Sequence, residues 1–303
     1  MEKIVLNPDN HESQYLDYLN ECFPNWGGTT EYDWVFERKV GAFSADILLI
    51  ENEEDGVIAG SAVSYRKLSQ NGQNAEIGIM TGSWTLPAAR RKGCFGKMIE
   101  TSVDLCKKKN VLYLTAFVTA TNPSCRRLRS AGSFMFPTYH LFSPEQKYEE
   151  ENIPQQISNS EKHDDEIFKS FQEHQSKFLS FEYNQEEFLK QYIQRPKHPV
   201  ILKINGDFAI LEDGKNEIKI LLITFSDLDK FRRNLKSVTN WCLENKRKKA
   251  FFFTTREELY NVCMEENFEN LPGFFTILKT SGSEEIKYTN TFKALNINMA
   301  DKM

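Results

Sequence analysis

The chain has 303 residues, 40% of them apolar and 27% charged, with a formal net charge of −5, which is long enough for two domains that each bury a core. The acidic balance argues against nucleic acid as the main partner, because neutralising many phosphates calls for a wide basic surface. Residues 1–30 hold no apolar signal core and no stretch approaches about 18 apolar residues, so neither a secretion signal nor a membrane span is expected, and the protein is read as cytoplasmic.

Six cysteines (Cys22, Cys94, Cys106, Cys125, Cys242, Cys263) and five histidines (His11, His140, His163, His174, His198) show none of the paired spacings of a zinc site. No metal is expected, and the cysteines read mostly as small apolar fillers, with Cys94 and Cys125 placed where a thiol pKa is lowered near a helix start.

In chain order, Lys3 to Leu6 reads as a short strand and His11 to Cys22 as a helix with Tyr15, Leu16 and Leu19 on one face. The loop P-N-W-G-G at 24–28 breaks that pattern, and a helix over roughly 30–40 follows. Trp26 in this loop has two readings: an apolar plug between the two helices, or the aromatic wall of an acceptor pocket. Ala45 to Glu51 and Val57 to Tyr65 are two strands joined by E-E-D-G, and Glu76 to Leu86 completes an antiparallel meander. Within that third strand Gly78 and Gly82 mark a bulge or a close backbone approach, and Pro87 ends the ladder.

A strand-to-helix turn rich in cations and glycine comes next, A-R-R-K-G-C-F-G-K. The N–H groups of a helix's first turn have no intrahelical partner, and the macrodipole adds roughly half a positive charge there. Gly93 and Gly96 leave those groups unobstructed, and Arg90, Arg91 and Lys92 add formal charge, so the turn is an anion cradle suited to a diphosphate. The helix is marked by Phe95, Met98, Ile99, Val103 and Cys106 at three- and four-residue spacing and stops at Asn110. Leu112 to Ala120 is a strand buried on both faces. Asn122 caps the next helix with Pro123 at its first position, and Phe134 to Phe142 forms one more strand.

The run P-x-x-R-R-K-G-x-F before a helix resembles the coenzyme A signature of the GNAT N-acetyltransferase superfamily, Arg/Gln-x-x-Gly-x-Gly/Ala, with Arg90 and Gly93 matching and Phe95 in the third place. The element order over residues 1–145 is also similar to that fold. The resemblance implies acetyl-coenzyme A as cosubstrate, its diphosphate on Arg91, Lys92, Gly93, Cys94, Phe95 and Gly96 beside Arg90, and its thioester toward the strand end at Trp84, Thr85 and Leu86. It also implies a coenzyme contact for Asn122, compatible with the cap. The leaving-group tyrosine that many members carry in the following helix is replaced here by Arg129. Tyr139 on the next strand is the nearest substitute, or a plain sheet residue. Glu76, on the strand beside the cofactor, is nominated as general base against its alternative as an edge glutamate.

From Ser143 to about Asp165 the chain turns polar with two prolines, as a linker does. The elements then recur: helices at 165–177 and 184–194, strands at 199–204, 207–212 and 217–225, a helix at 228–248, the strand A-F-F-F-T-T, a helix at 256–267 and the strand F-F-T-I-L-K. The expected architecture is therefore α/β, with two tandem GNAT-like domains of mixed, largely antiparallel sheet: residues 1–145, a linker at 146–164, and a degenerate copy plus a C-terminal tail over 165–303. Between Phe225 and Leu228 no glycine or cation recurs, so the second copy lacks the cradle. K-R-K-K at 246–249 reads as a solvated helix end. The expected acceptor is an amine of a small molecule or peptide, held between the halves with the 24–28 loop on one side. Transfer from aminoacyl-tRNA or a long acyl donor, and a non-catalytic coenzyme-binding role, stand as alternatives.

Overall fold

The computed structural model describes residues 2–70, 73–149, 153–158, 160–280 and 294–302. The meander expected from alternation and turn chemistry forms from β1 (Lys3–Leu6), β2 (Asp46–Asn52), β3 (Gly56–Gln70) and β4 (Gln73–Thr85), each antiparallel to the next. Between β1 and β2 lie α1 (Glu12–Cys22) and α2 (Thr29–Tyr32), the latter running into a π-helical turn at Asp33–Glu37. Then follow α3 (Cys94–Lys108), β5 (Tyr113–Thr119), α4 (Pro123–Ser130) and β6 (Phe134–Phe142). The periodic face of α3 buries Met98, Ile99, Leu105 and Cys106 against the sheet beside Val63, Tyr65 and Leu114, and each large side chain there contributes roughly 1.5–3 kcal/mol.

The second half repeats the order. It contains β7 (Gln155–Ile157), α5 (Asp164–Gln175), a two-residue β8 (Ser180–Phe181), α6 (Gln185–Phe188) and a π-helical turn at Leu189–Ile193. The strands β9 (Val200–Ile204), β10 (Asp207–Asp213) and β11 (Glu217–Ile223) lead to α7 (Leu228–Lys246), β12 (Lys249–Thr254), α8 (Glu257–Glu265) and β13 (Glu269–Lys279). Even the four-residue helix followed by a five-residue π turn recurs, in α2 and α6. The stretch read as a linker contributes β7, which pairs with β9.

All strands join one sheet, in the order β1-β2-β3-β4-β5-β13-β6-β12-β11-β10-β9-β7, with β8 paired to β3. The two halves exchange their last strands. β13 from the second half lies antiparallel between β5 and β6, and β6 from the first half lies antiparallel between β13 and β12. Phe275 and Ile277 of β13 are fully buried in a core shared by both halves, together with Ile77 and Ile79 of β4 and Phe251 and Phe253 of β12.

Residues 295–301 thread back into this core. Thr255 Oγ1 donates to the Leu295 carbonyl at 2.7 Å, and the Asp301 carboxylate accepts from Tyr183 and Tyr192 hydroxyls at 2.9 and 2.8 Å and from Asn298 N–H at 2.7 Å. Burial pushes the Asp301 carboxyl up to about 6.

Candidate functional site

The bulge in β4 organises the site. Gly60 pairs with Trp84 but Ala62 pairs with Thr81, so one more residue sits on β4 than on β3 over this span. Gly82 absorbs it with φ +56, a left-handed value that a larger residue adopts at a cost, and a Cβ there would come 2.8 Å from Phe36 Cζ. The Tyr15 hydroxyl donates to the Gly82 carbonyl at 3.1 Å and fixes the bend. Beneath it Tyr15, Phe36 and Trp84 pack edge to face, with centroids 5.4 and 5.6 Å from Tyr15.

The bulge turns β4 away from its parallel neighbour. β4 and β5 pair only from Ile77/Tyr113 to Ile79/Thr115, while β5 continues along β13 as far as Thr119. A crevice opens between their carboxyl ends, where parallel strands of α/β proteins commonly hold ligands. Each strand runs into a helix start there, α3 after β4 and α4 after β5.

At the α3 start Arg91 and Gly93 both take left-handed conformations, φ 69 and φ 91. The first turn of α3 carries no acidic residue and no side-chain cap, so no side chain of that turn competes with a ligand for its N–H groups. A Cβ on Gly93 or Gly96 would meet nothing within 4 Å. Arg90 donates from Nε to the Thr85 carbonyl at 3.3 Å and ties the turn to the end of β4. Arg91 and Lys92 are exposed. These features fit a diphosphate: open space, free donors and uncommitted cations.

Cys94 departs from its expected reactivity. Burial pushes its thiol up, and the side chain lies under the turn against the Ala89 carbonyl at 3.9 Å, as a small apolar filler. Cys125 is likewise buried. Asn122 caps α4, its Oδ1 accepting from Ser124 N–H at 3.0 Å and Ser124 Oγ at 2.7 Å. Its side chain is exposed at the mouth of the crevice. Tyr139 stacks on Tyr260 of α8 at 4.2 Å and so serves sheet-to-helix packing.

Glu76 lies six residues before Gly82, on the order of 20 Å along the strand. It pairs with Lys67 in the ladder, and burial pushes its carboxyl up. It does not line the cavity beside the bulge.

That cavity, of about 230 Å³, is walled by both halves. Thr81 and Gly82 form its edge, and Trp26, Glu31, Trp34 and Val35 come from the α1–α2 loop and the helices after it. Trp26 stacks on Phe36 with ring planes 17° apart and also lines the cavity. Arg195, Pro196 and Lys197 follow the second half's π turn, and Glu212 and Lys219 reach in from β10 and β11. Arg195 is buried and donates from Nε to Glu212 at 2.6 Å, while Lys219 stands 3.8 Å from the same carboxylate. Two guanidinium groups lie on the Trp34 ring, Arg38 at 3.4 Å and Arg195 at 4.3 Å, and its indole N–H donates to the Lys190 carbonyl at 3.1 Å. Trp34, Arg195, Lys197, Glu212 and Lys219 were not singled out from the sequence. The signal was the repeat itself: the segments after the two matching helix pairs face each other across the sheet.

A larger cavity, about 580 Å³, occupies the corresponding junction of the second half, between α5, β10 and the start of α7. Its helix start is different in kind. Asp227 caps α7 by accepting from Lys230 N–H at 2.8 Å, and Asp229 adds a second carboxylate to the first turn. Those charges compete with an anion for the same N–H groups, as expected of a copy without the cradle.

No family model matches the chain, and no curated protein sequence matches it. Its structure, in contrast, resembles solved acyltransferases. A probable N-acyltransferase from Enterococcus faecalis superposes with a TM-score of 0.66 at 7% identity, over 93% of this chain and 73% of that one. A tandem GNAT protein from the clavulanic acid biosynthesis pathway superposes with a TM-score of 0.63 at 12% identity, over 94% of this chain and all of that one. An N-myristoyltransferase from Saccharomyces cerevisiae with bound myristoyl-CoA and inhibitors superposes with a TM-score of 0.65 at 10% identity, over 94% and 81%. The fold is that of the GNAT superfamily. The chain carries that fold twice, in tandem. Among the described residues no helix is long and apolar enough to cross a membrane, and no cluster of three or more His, Cys, Asp or Glu groups could hold a metal ion.

Proposed function

We propose that this protein is an N-acyltransferase that moves an acetyl group from acetyl-coenzyme A to an amine held between its two halves. The observation that carries the reading is the bulged β4, which connects an uncapped, cation-flanked helix start at one end with a two-sided cavity at Gly82. We assign residues 1–145 to the coenzyme-binding copy, 146–164 to the connection and 165–303 to the copy without a cradle. The backbone N–H groups of Gly93, Cys94 and Phe95 would hold the diphosphate, with Arg90, Arg91 and Lys92 screening its charge and the Asn122 amide at the crevice mouth. Trp84, Thr85 and Leu86 would flank the pantetheine arm.

The reaction is aminolysis of a thioester. The amine nitrogen forms a bond to the carbonyl carbon, the C–S bond breaks, and one proton passes from nitrogen to the departing thiolate's side of the balance. The β4 edge that faces β5 beyond Ile79 has no ladder partner, so its N–H groups are available to the oxyanion. For the base we place Glu31 ahead of Glu76, because Glu31 lines the cavity and Glu76 does not. Glu31 Oε2 already accepts from Gly28 N–H at 2.8 Å, which orients the carboxylate.

A short acyl group is favoured over a long one because Tyr15, Phe36 and Trp84 fill the space behind the bulge. The six free thiols suit the reducing cytoplasm. The test is calorimetric titration with acetyl-coenzyme A and myristoyl-coenzyme A, followed by thiol release with a panel of amines. Tight binding of the acetyl ester with amine-dependent thiol release is expected. Absence of binding to either ester would refute the assignment, and preference for the long chain would refute the acetyl specificity.

A further inference from the structure

The cavity at Gly82 is polarised. Of its lining side chains, two are carboxylates, Glu31 and Glu212, and three are cations, Arg195, Lys197 and Lys219. They are not mixed. Glu31 and the Trp26 ring stand on the first half's wall, whereas all three cations belong to the second half. Glu212 is already engaged by Arg195 at 2.6 Å and shared with Lys219 at 3.8 Å. Lys197 has no carboxylate within 4.0 Å among the described residues and is exposed at the rim. The second half's wall therefore carries cationic charge beyond what its own carboxylate offsets.

A charged group enclosed in a half-buried site is stabilised by an opposite charge within a few ångströms. The first wall suits an ammonium, which Glu31 attracts and the face of Trp26 accepts. The second wall suits an anion. At about 230 Å³ the space takes a molecule of on the order of ten non-hydrogen atoms, since one water's share of liquid volume is about 30 Å³.

Resting on the acyltransferase reading above, we propose that the acceptor is a small amino acid, with its amine at Glu31 and Gly82 and its carboxylate at Lys197 and Lys219. The reacting form, a neutral amine that retains its carboxylate, carries one negative charge and offsets the single excess positive charge of the lining. Peptide acceptors with a remote carboxyl end and plain amines both leave that charge unmatched. Glu31 takes the amine proton as nitrogen attacks, so carboxylate binding places nucleophile and base together.

The experiment compares matched acceptors in the thiol-release assay: an amino acid, the amine left by removing its carboxylate, its amide, and a phosphorylated amine of similar size. A kcat/KM at least 10-fold higher for the amino acid is expected, carried mainly by KM. Lys197→Gln and Lys219→Met should each raise KM for the amino acid about 10-fold or more; Lys197 is exposed, so its replacement spares the core. A turnover-independent readout comes from Trp26 and Trp34, whose fluorescence should change on titration with the amino acid and not with its amide. Preference for the plain or phosphorylated amine, or variants that leave the preference intact, would overturn the proposal while acetyl-coenzyme A still binds. Failure of acetyl-coenzyme A to bind would overturn this proposal and the acyltransferase reading together.

Discussion

Gly93 separates the electrostatics of the cradle from its conformation. Its φ is +91, so any side chain strains the backbone, yet a Cβ there would meet nothing within 4 Å. Gly93→Ala should therefore lose stability only through the left-handed conformation, about 1–2 kcal/mol. For a chain of 303 residues that lowers Tm by roughly 2–4 °C. Gly93→Glu carries the same strain but adds a negative charge at the start of α3, which favours the helix by about 0.3–1 kcal/mol. The glutamate variant should thus be slightly more stable than the alanine variant. Binding should move the opposite way. A carboxylate about 6 Å from a diphosphate repels it by about 1–3 kcal/mol at effective dielectric constants between those of a protein surface and water. That is a loss of roughly 5- to 150-fold in affinity relative to Gly93→Ala. Thermal unfolding and calorimetric titration with coenzyme A, run on both variants at the same salt, give the two numbers. Equal affinities for the two variants would refute the cradle, because a carboxylate beside a bound diphosphate must weaken it.

Stability should fall as the pH drops from 7 to 5. Burial lowers His140 to about 3 and His174 to about 4, against 6.5 unfolded, so below 6.5 the unfolded chain takes up protons that the folded one refuses, at about 2 kcal/mol each by pH 5. Asp301 works in the other direction, because its raised carboxyl near 6 gains a proton first in the folded state and returns about 1 kcal/mol. Urea titrations at the two pH values should show the net loss, and His140→Gln with His174→Gln should flatten it. Glu212→Gln removes the carboxylate from buried Arg195 and should cost about 3–5 kcal/mol in urea unfolding, whereas a surface ion pair such as Lys147 with Glu244 should contribute under about 1 kcal/mol. Gly78→Ala would set a Cβ 2.6 Å from Cys106 Sγ and 2.9 Å from Val63 Cγ1, so it should lower stability by about 1–3 kcal/mol, readable as a drop in denaturant midpoint at unchanged slope. Residues 1–143 expressed alone should fail to give a soluble monomer, because β13 is missing between β5 and β6, and co-expression with the rest should restore it.

Much of this architecture is local in origin, and so was legible. The stripe of Met98, Ile99 and Cys106 marks α3 whatever it packs against, and the glycine-cation turn before it is read directly from residue chemistry. Asn122 and Pro123 mark a helix start by the same local logic. β7 escaped because a three-residue edge strand, Gln155–Ile157, buries too little to leave an apolar pattern. The exchange of β6 and β13 escaped for another reason: an apolar alternating strand looks the same whichever neighbours it pairs with. Trp34, Arg195, Glu212 and Lys219 meet only through the tertiary fold, and R-P-K at 195–197 has the composition of an ordinary turn. Glu76 shows what a strand position leaves open, since it does not say which end of that strand reaches the cavity at Gly82.

The exchanged strands also constrain how the protein can be made. During synthesis β5 and β6 emerge with unpaired edges, and the strand that fills the gap between them follows about 150 residues later, as in the pairing of Thr119 with Gly273. Neither half can close its sheet before the other is nearly complete. Long-range pairing of this kind slows folding, and open apolar edges on a partly made chain invite association with other chains. A nascent protein of this design is therefore expected to depend on chaperone cover until residue 279 has left the ribosome, and to acquire the crevice between β4 and β5 and the cavity at Gly82 in the same late step.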